Sequence, residues 1–291
     1  TDTGILLSLQ TWRATADRRF FWEDFRGVLD TFIRSSRQFD TLLDGDLFYP
    51  GRLNKYKVLV LPSQAALSDR QCANLEQWVR DGGVALLTNN TSLYDAHGNR
   101  RIDFKLGEAM NLRSTSETFG KGRGTARIAG VPAEFAVPFN TKVELLRPQN
   151  SQVLAEYTAE SGKTMPLVVE TAYSKGRFLY LAAPLGRVLY ELEMRNGRAY
   201  NYRPQPDLAA LLNGLYDAAH RGSPSPVTAQ LPDKVIAIAN QLEDGPGKGN
   251  IYVQLYNFTG SKIKPGDKLY NGMPENITFP AIAGDLKITV N

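Results

Sequence analysis

The chain offers few residues for chemistry: one cysteine, two histidines and some closely spaced carboxylates in 291 residues. A thiol becomes a useful nucleophile on a tight strand-to-helix turn, with a histidine to activate it and a carboxylate to align that histidine. Cys72 does not fit that pattern. It falls at the fifth position of a helix beginning near Ser68, in phase with Leu75 and Val79, which predicts a sulfur turned into the core with a raised pKa. His97 lies in a hydrophilic turn (DAHGN). His220 falls at a helix end, where an imidazolium meets the negative end of the helix dipole. One thiol excludes an internal disulfide and a thiolate zinc cluster, and two histidines fall short of the usual metal-ligand set unless carboxylates complete it.

Two carboxylate pairs come close in sequence. Asp44 and Asp46, in LLDGDL just past a strand, could hold a metal or do acid–base work, but the commoner role is a turn in which Asp side chains accept nearby backbone N–H groups. Glu191 and Glu193, in YELEM, alternate on a segment read as extended and facing solvent. No catalytic residue, metal site or cofactor is expected.

The elements that would position a site come from hydrophobic patterning. Residues 4–9 read as a buried strand. Residues 20–37 read as a helix with Phe21, Phe25, Val28, Leu29, Phe32 and Ile33 on one wide apolar face. Strands follow at 39–43, 57–61 (KVLVL) and 84–88 (VALLT). Between the last two, Ser68 and Gln71 can form a capping box, and Gly82 with Gly83 stops the helix. Strand, helix, strand with short links implies a right-handed parallel crossover and a doubly wound, mostly parallel sheet. Further on, residues 103–110 suggest a short helix and GKGRG (120–124) a flexible loop. Short strands broken by Pro132, Pro138 and Pro148 suggest antiparallel pairing at a sheet edge. Strands at 168–171 and 177–182 flank YSKG, and a last helix spans about 207–220. GSPSP (222–226) marks a boundary. Beyond it, strands at 235–239, 251–257 and 286–290 with turn-rich links suggest a small all-β, sandwich-like domain. The division expected is 1–222 and 223–291.

In open α/β sheets, ligands bind where loops leave the carboxyl ends of the strands. The candidates there are Ser63 and Gln64 after one strand, Asn89, Asn90, Thr91, Ser92, Tyr94 and Asp95 after another, and residues 184–187 after a third. Their hydroxyls and amides suit hydrogen bonding to a sugar or a partner chain, or simply closure of the loops.

Four segments taken in order, LLDGDL (42–47), KYKVLVLPSQAALSDRQCANLEQWVRDGG (55–83), LLTNNTSLYDAHGNRR (86–101) and KGRFLYLAAPLG (175–186), resemble the class I glutamine amidotransferase-like domain known as the beta-galactosidase trimerisation domain. In that family the domain follows a glycoside hydrolase barrel, and NIYVQLYNFTG (250–260) is similar to the small β domain found after it. The resemblance implies a flavodoxin-like fold and an accessory role. Active relatives place a histidine just past the strand that here reads FLYLA, whereas this chain has Ala183, Pro184, Leu185 and Gly186. The repeated βα units of a barrel are not in this sequence.

The leading expectation is a non-catalytic accessory and oligomerisation region of a carbohydrate-active enzyme. It would be partnered by copies of itself, by an upstream glycosidase barrel and by carbohydrate. Contact surfaces would be the aromatic-rich helix and RNGRAYNYRP (195–204), since Arg and Tyr favour interfaces. Alternatives are a carbohydrate-binding module stacking sugars on Tyr94, Tyr200, Tyr202 or Tyr270, and a glutaminase-like hydrolase. The net charge of +4 is spread along the chain, unlike the concentrated basic face of a nucleic-acid binder. No run of about 18 apolar residues exists to span a membrane. A start without Met inside a strand suggests a piece of a longer polypeptide.

Overall fold

The computed structural model describes residues 1–15, 18–115, 120–137, 145–146, 148, 150–195, 205–221, 227–230, 235–241, 251–257, 269–270, 273–274 and 287–290. Two compact units divide the chain. The first comprises Thr1–Thr31 and Phe39–Pro224.

This first unit is built on strands whose residues are apolar on both faces. Every residue of β3 (Val58–Leu61) and β4 (Val84–Thr88) is buried, as a strand covered by helices on both sides requires. Both run parallel to β1 (Thr3–Leu7) and β2 (Asp40–Leu43). Around them lie α1 (Leu9–Ala14), α2 (Arg18–Arg34), α3 (Pro50–Leu53) and α4 (Asp69–Arg80). Helix α1, six residues long and without a hydrophobic period of its own, is capped by Ser8, whose Oγ accepts the Thr11 N–H at 2.8 Å.

On α4 the expected capping box is present. Ser68 Oγ accepts the Gln71 N–H at 3.2 Å, and Gln71 Oε1 accepts the Ser68 N–H at 2.8 Å. Two of the otherwise orphaned donors at the helix start are thereby satisfied. Cys72, Leu75, Trp78 and Val79 form its buried face. Gly82, at φ +123°, lets the chain leave the helix. On α2 the buried face holds Phe21, Phe25, Val28 and Phe32, while Ile33 is exposed.

Next come α5 (Gly107–Met110), β5 (Ser114–Thr115), β6 (Gly122–Ala126), β7 (Glu134–Val137), β8 (Leu145–Leu146), β9 (Gln152–Ala159), β10 (Thr164–Tyr173) and β11 (Gly176–Leu181). The sheet order is β2-β1-β3-β4-β11-β10-β9-β6-β7. Strand β11 runs parallel to β4, and from β11 outward every pairing is antiparallel. The result is a mixed sheet, with the short β5–β8 pair standing apart from it.

Two readings are corrected here. GKGRG is not a flexible loop, because residues 122–126 form β6 between β9 and β7. Its glycines serve close packing. A Cβ at Gly124 would lie 2.1 Å from the Phe135 ring, and one at Gly122 would lie 2.2 Å from the Thr158 carbonyl oxygen. YELEM is not extended either. After α6 (Leu185–Leu189) the chain continues into a wide π-type turn over Tyr190–Arg195, where Arg187 Nε donates to Glu191 at 3.1 Å. Then α7 (Pro206–Ala219) buries Leu208, Leu211, Leu212, Leu215 and Ala219 along one face. Pro138 and most of RNGRAYNYRP lie outside the described residues.

The second unit comprises Phe32–Gln38 and Ser225–Asn291. Three antiparallel pairs are described: β12 (Val227–Gln230) with β17 (Lys287–Val290), β13 (Val235–Gln241) with β14 (Ile251–Asn257), and β15 (Leu269–Tyr270) with β16 (Met273–Pro274). Ser36 Oγ accepts the Ala237 N–H at 3.1 Å, and the Gln38 amide donates to the Ala237 carbonyl at 3.2 Å.

Candidate functional site

The carboxyl edge of the parallel strands is drawn together by one acid that sequence patterning overlooked. Asp24 lies on the buried face of α2, in phase with Phe21 and Val28, and is fully enclosed. Its Oδ2 accepts the Ser63 hydroxyl at 2.5 Å and the Thr88 hydroxyl at 3.0 Å, and its Oδ1 accepts the Arg187 N–H at 2.9 Å. Thr88 Oγ1 in turn accepts the Ser63 N–H at 2.8 Å. The turn after β3, the last residue of β4 and the first turn of α6 are thus joined to α2 through a single carboxylate. Burial raises its pKa, and the donors from Ser63, Arg187 and Thr88 only partly offset this. The readable signal was an acid on the greasy face of a helix, which must find partners if it is to be buried.

The approach is close enough to exclude side chains. A Cβ at Gly27 would sit 1.7 Å from the Gly186 oxygen, and one at Gly186 would sit 2.1 Å from the Asp24 carbonyl oxygen. Helix α2 therefore meets the start of α6 backbone to backbone. Flanking the contact, Arg187 Nε lies 3.5 Å from the buried Glu23 carboxylate.

The residues singled out after β3 and β4 do come together, mostly inside the protein. Ser63, Gln64, Asn89, Thr91 and Ser92 are buried, while Asn90, Tyr94 and Asp95 are half-exposed. Three of them carry left-handed backbone: Ser63 at φ +48°, Asn89 at +49° and Ser92 at +69°, conformations that non-glycine residues adopt at a cost. Hydrogen bonds hold them there. Thr91 Oγ1 accepts the Gln64 N–H at 3.1 Å, the Ser92 N–H donates to the Gln64 carbonyl at 3.0 Å, and the Tyr180 hydroxyl donates to the Asn89 carbonyl. Gln64 gives its amide hydrogens to the carbonyls of Leu6 and Pro62, both at 2.8 Å. Arg101 threads the same loops, donating to the carbonyls of Ser92 at 3.2 Å and Leu67 at 3.0 Å, and pairing with Asp69 at 2.6 Å. Asp95 closes its own turn. The Asn99 side-chain and backbone N–H groups, with the His97 N–H, hold its pKa down at about 2.

Cys72 is 1% exposed, and burial pushes its thiol up to about 12. Among the described residues neither imidazole bonds it. His97 is exposed. His220 is buried at the end of α7, its Nδ1 2.9 Å from the Tyr216 carbonyl oxygen and its Nε2 3.1 Å from Thr3 Oγ1 and 3.5 Å from Asp2. Because a carbonyl only accepts, Nδ1 carries a proton. Among the described residues, no group of three or more His, Cys, Asp or Glu is placed to hold a metal ion, and no helix is long and apolar enough to cross a membrane.

Asp44 and Asp46 open onto a cleft of about 700 Å³ at the carboxyl ends of β1 and β2. As expected of a turn, both cap backbone: Asp44 Oδ2 accepts the Gln10 N–H and Asp46 Oδ2 accepts the Leu43 N–H, each at 2.9 Å. Asp46 also pairs with Arg52 at 2.7 Å. Its pKa is lowered, the upward push of burial being outweighed by Leu43 and Arg52. Helix α4 supports the turn from behind, with Gln71 donating to the Asp44 carbonyl at 3.1 Å and Asn74 to the Leu47 carbonyl at 2.9 Å.

Together these features define a mixed α/β domain whose carboxyl edge is sealed by buried hydrogen bonds around Asp24, with its thiol inside the core. Residues 2–196 match the family model of the beta-galactosidase trimerisation domain. That is more than half of the chain, and the chain belongs to this family. Among solved structures it is similar to the beta-galactosidase from Bacillus circulans sp. alkalophilus, at 15% identity and a TM-score of 0.63 over 82% of this chain and 33% of that one. It is also similar to the beta-galactosidase from the haloarchaeon Halorubrum lacusprofundi, at 15% identity and a TM-score of 0.57 over 100% and 39% of the two chains. A third similar structure is the alpha-L-fucosidase isoenzyme 2 from Paenibacillus thiaminolyticus, at 13% identity and a TM-score of 0.59 over 82% and 36%. At these identities the likeness speaks to the fold. The chain spans 33% to 39% of the length of these three solved proteins. No curated protein matches it.

Proposed function

We propose that the chain is a non-catalytic accessory and oligomerisation region of a glycoside hydrolase, self-associating and partnered by a glycosidase barrel. The observation that carries this reading is the match of residues 2–196 to the trimerisation domain. The buried thiol supports it, because a sulfur ionising at about 12 inside α4 is neither nucleophilic nor reachable near neutral pH.

In finer detail, residues 1–222 form a flavodoxin-like, class I glutamine amidotransferase-like domain that lacks that chemistry, and residues 223–291 form a small β-sandwich-like domain. The strand order β2-β1-β3-β4 supports the first part, since it is the order of doubly wound sheets. Asn89 adds to it, standing at φ +49° just past β4 on the kind of strained elbow that carries a nucleophile in active enzymes. An amide there cannot attack a carbonyl. Of the loop residues after β3 and β4, the half-exposed Asn90, Tyr94 and Asp95 are the ones offered to a partner chain or a sugar, with the buried members as their support.

Size-exclusion chromatography with light scattering on the 291-residue chain tests the assembly. A defined oligomer is expected, and a strict monomer at 10 mg/mL or about 300 μM, well above typical protein–protein dissociation constants, rejects it.

A further inference from the structure

We propose that the cleft at the carboxyl ends of β1 and β2 binds a small, neutral, polyhydroxylated molecule of the monosaccharide class. Its volume of about 700 Å³ falls within the roughly 300–1,000 Å³ of small-molecule sites. Its place is the carboxyl edge of the parallel strands, where the loops of open α/β sheets carry ligand sites, here beside β1 and β2. The walls come from α1, from the turn after β2, and from residues 96–97 of the loop that follows β4.

Charge selects the ligand. Asp46 is neutralised by Arg52 at 2.7 Å, which leaves Asp44 and Arg13 facing the cleft. Arg13 forms no ion pair with the described residues. A phosphate or carboxylate ligand would meet the Asp44 carboxylate, and a simple cation would meet Arg13. A neutral polyol satisfies both, donating a hydroxyl hydrogen to the acid and accepting from the guanidinium.

Asp44 needs such a donor. Its Oδ2 is capped by Gln10, but its Oδ1 is buried and accepts no hydrogen bond from the described residues, a costly state for a carboxylate oxygen. A turn of the carboxylate about χ2 that brings this oxygen to the cleft also draws Oδ2 off the Gln10 N–H, so the ligand's hydroxyl must replace that cap. Leu9 and Leu43, 44% and 47% exposed, supply apolar surface for the C–H face of a ring. This inference stands apart from the oligomerisation reading, because a monomeric chain would leave the cleft intact.

The test is ligand-detected saturation-transfer NMR with isothermal titration of the 291-residue chain against D-galactose and D-glucose, with glycine and calcium chloride as separate arms. Saturable sugar binding is expected, weakened at least tenfold by Arg13→Ala and by Asp44→Asn and unchanged by Glu134→Gln on β7. Arg13 is exposed, so Arg13→Ala decides the matter if Asp44→Asn fails to fold. Absence of saturation up to roughly 100 mM sugar, far beyond ordinary weak binding, overturns the proposal. So does equal binding by wild type and Arg13→Ala, or binding of glycine or calcium without sugar.

Discussion

Ser63 donates its hydroxyl to Asp24 at 2.5 Å, tying the turn after β3 to the middle of α2 through a carboxylate with no access to solvent. Removing that acceptor leaves the Ser63 and Thr88 hydroxyls and the Arg187 N–H short of a partner. At about 1–3 kcal/mol per buried donor, Asp24→Ala is expected to cost about 3–5 kcal/mol of stability, and Ser63→Ala about 1 kcal/mol. Urea unfolding followed by tryptophan fluorescence measures both. A loss below about 1 kcal/mol for Asp24→Ala would mean that the junction does not hold the sheet edge.

The same acid sets a pH dependence. Its pKa in the folded chain lies above the ordinary 3.8, because burial disfavours the charge more than its donors favour it. The unfolded chain therefore ionises first as pH rises. The stability Asp24 contributes is fully present below 3.8 and is lost between 3.8 and its raised folded value. Asp24→Asn does not titrate, so wild type should lose stability relative to this variant across that window. Unfolding midpoints at closely spaced pH values read the difference, and a constant gap between the two proteins would refute it.

Where α2 meets α6, glycine is required for contact rather than for flexibility. Gly27→Ala is expected to cost about 3 kcal/mol or more through overpacking against backbone, since its Cβ would fall 1.7 Å from the Gly186 oxygen. Gly51 has nothing within 4 Å of an added Cβ, and Gly51→Ala in α3 should be neutral or stabilising by about 0.5–1 kcal/mol. Thermal unfolding of the pair separates crowding from a general effect of losing glycine.

For Cys72, a shift from 9.0 to about 12 lowers the thiolate fraction near pH 8 by about three orders of magnitude, before burial itself is counted. Alkylation by iodoacetamide should proceed only as fast as the chain opens, and it should accelerate in urea in step with unfolding. Fast modification of the native protein would show that the sulfur is reachable.

How much of this was readable depended on whether the signal was local. The Ser68–Gln71 capping box, the buried run of β3 and the in-phase position of Cys72 are set by neighbours a few residues apart. The glycines of β6 were misread because what they accommodate, the Phe135 ring and the Thr158 carbonyl, arrives from strands elsewhere in the sequence. Asp24 was missed for a related reason. Its partners lie 39, 64 and 163 residues away, and periodicity marks a face as buried without naming what it touches. The loop residues after β3 and β4 were rightly placed at the sheet edge. Whether they would face outward or inward depended on the 91–95 turn folding back over residues 64–67, which no local pattern encodes.

The backbone contact between α2 and α6 also limits which residues this corner of the fold can accept. Residue 186 lies just past β11, and any substituent there would strike the Asp24 carbonyl at 2.1 Å. A side chain could stand at position 186 only if α2 moved away, and a helix that moved away would give up the Asp24 hydrogen bonds.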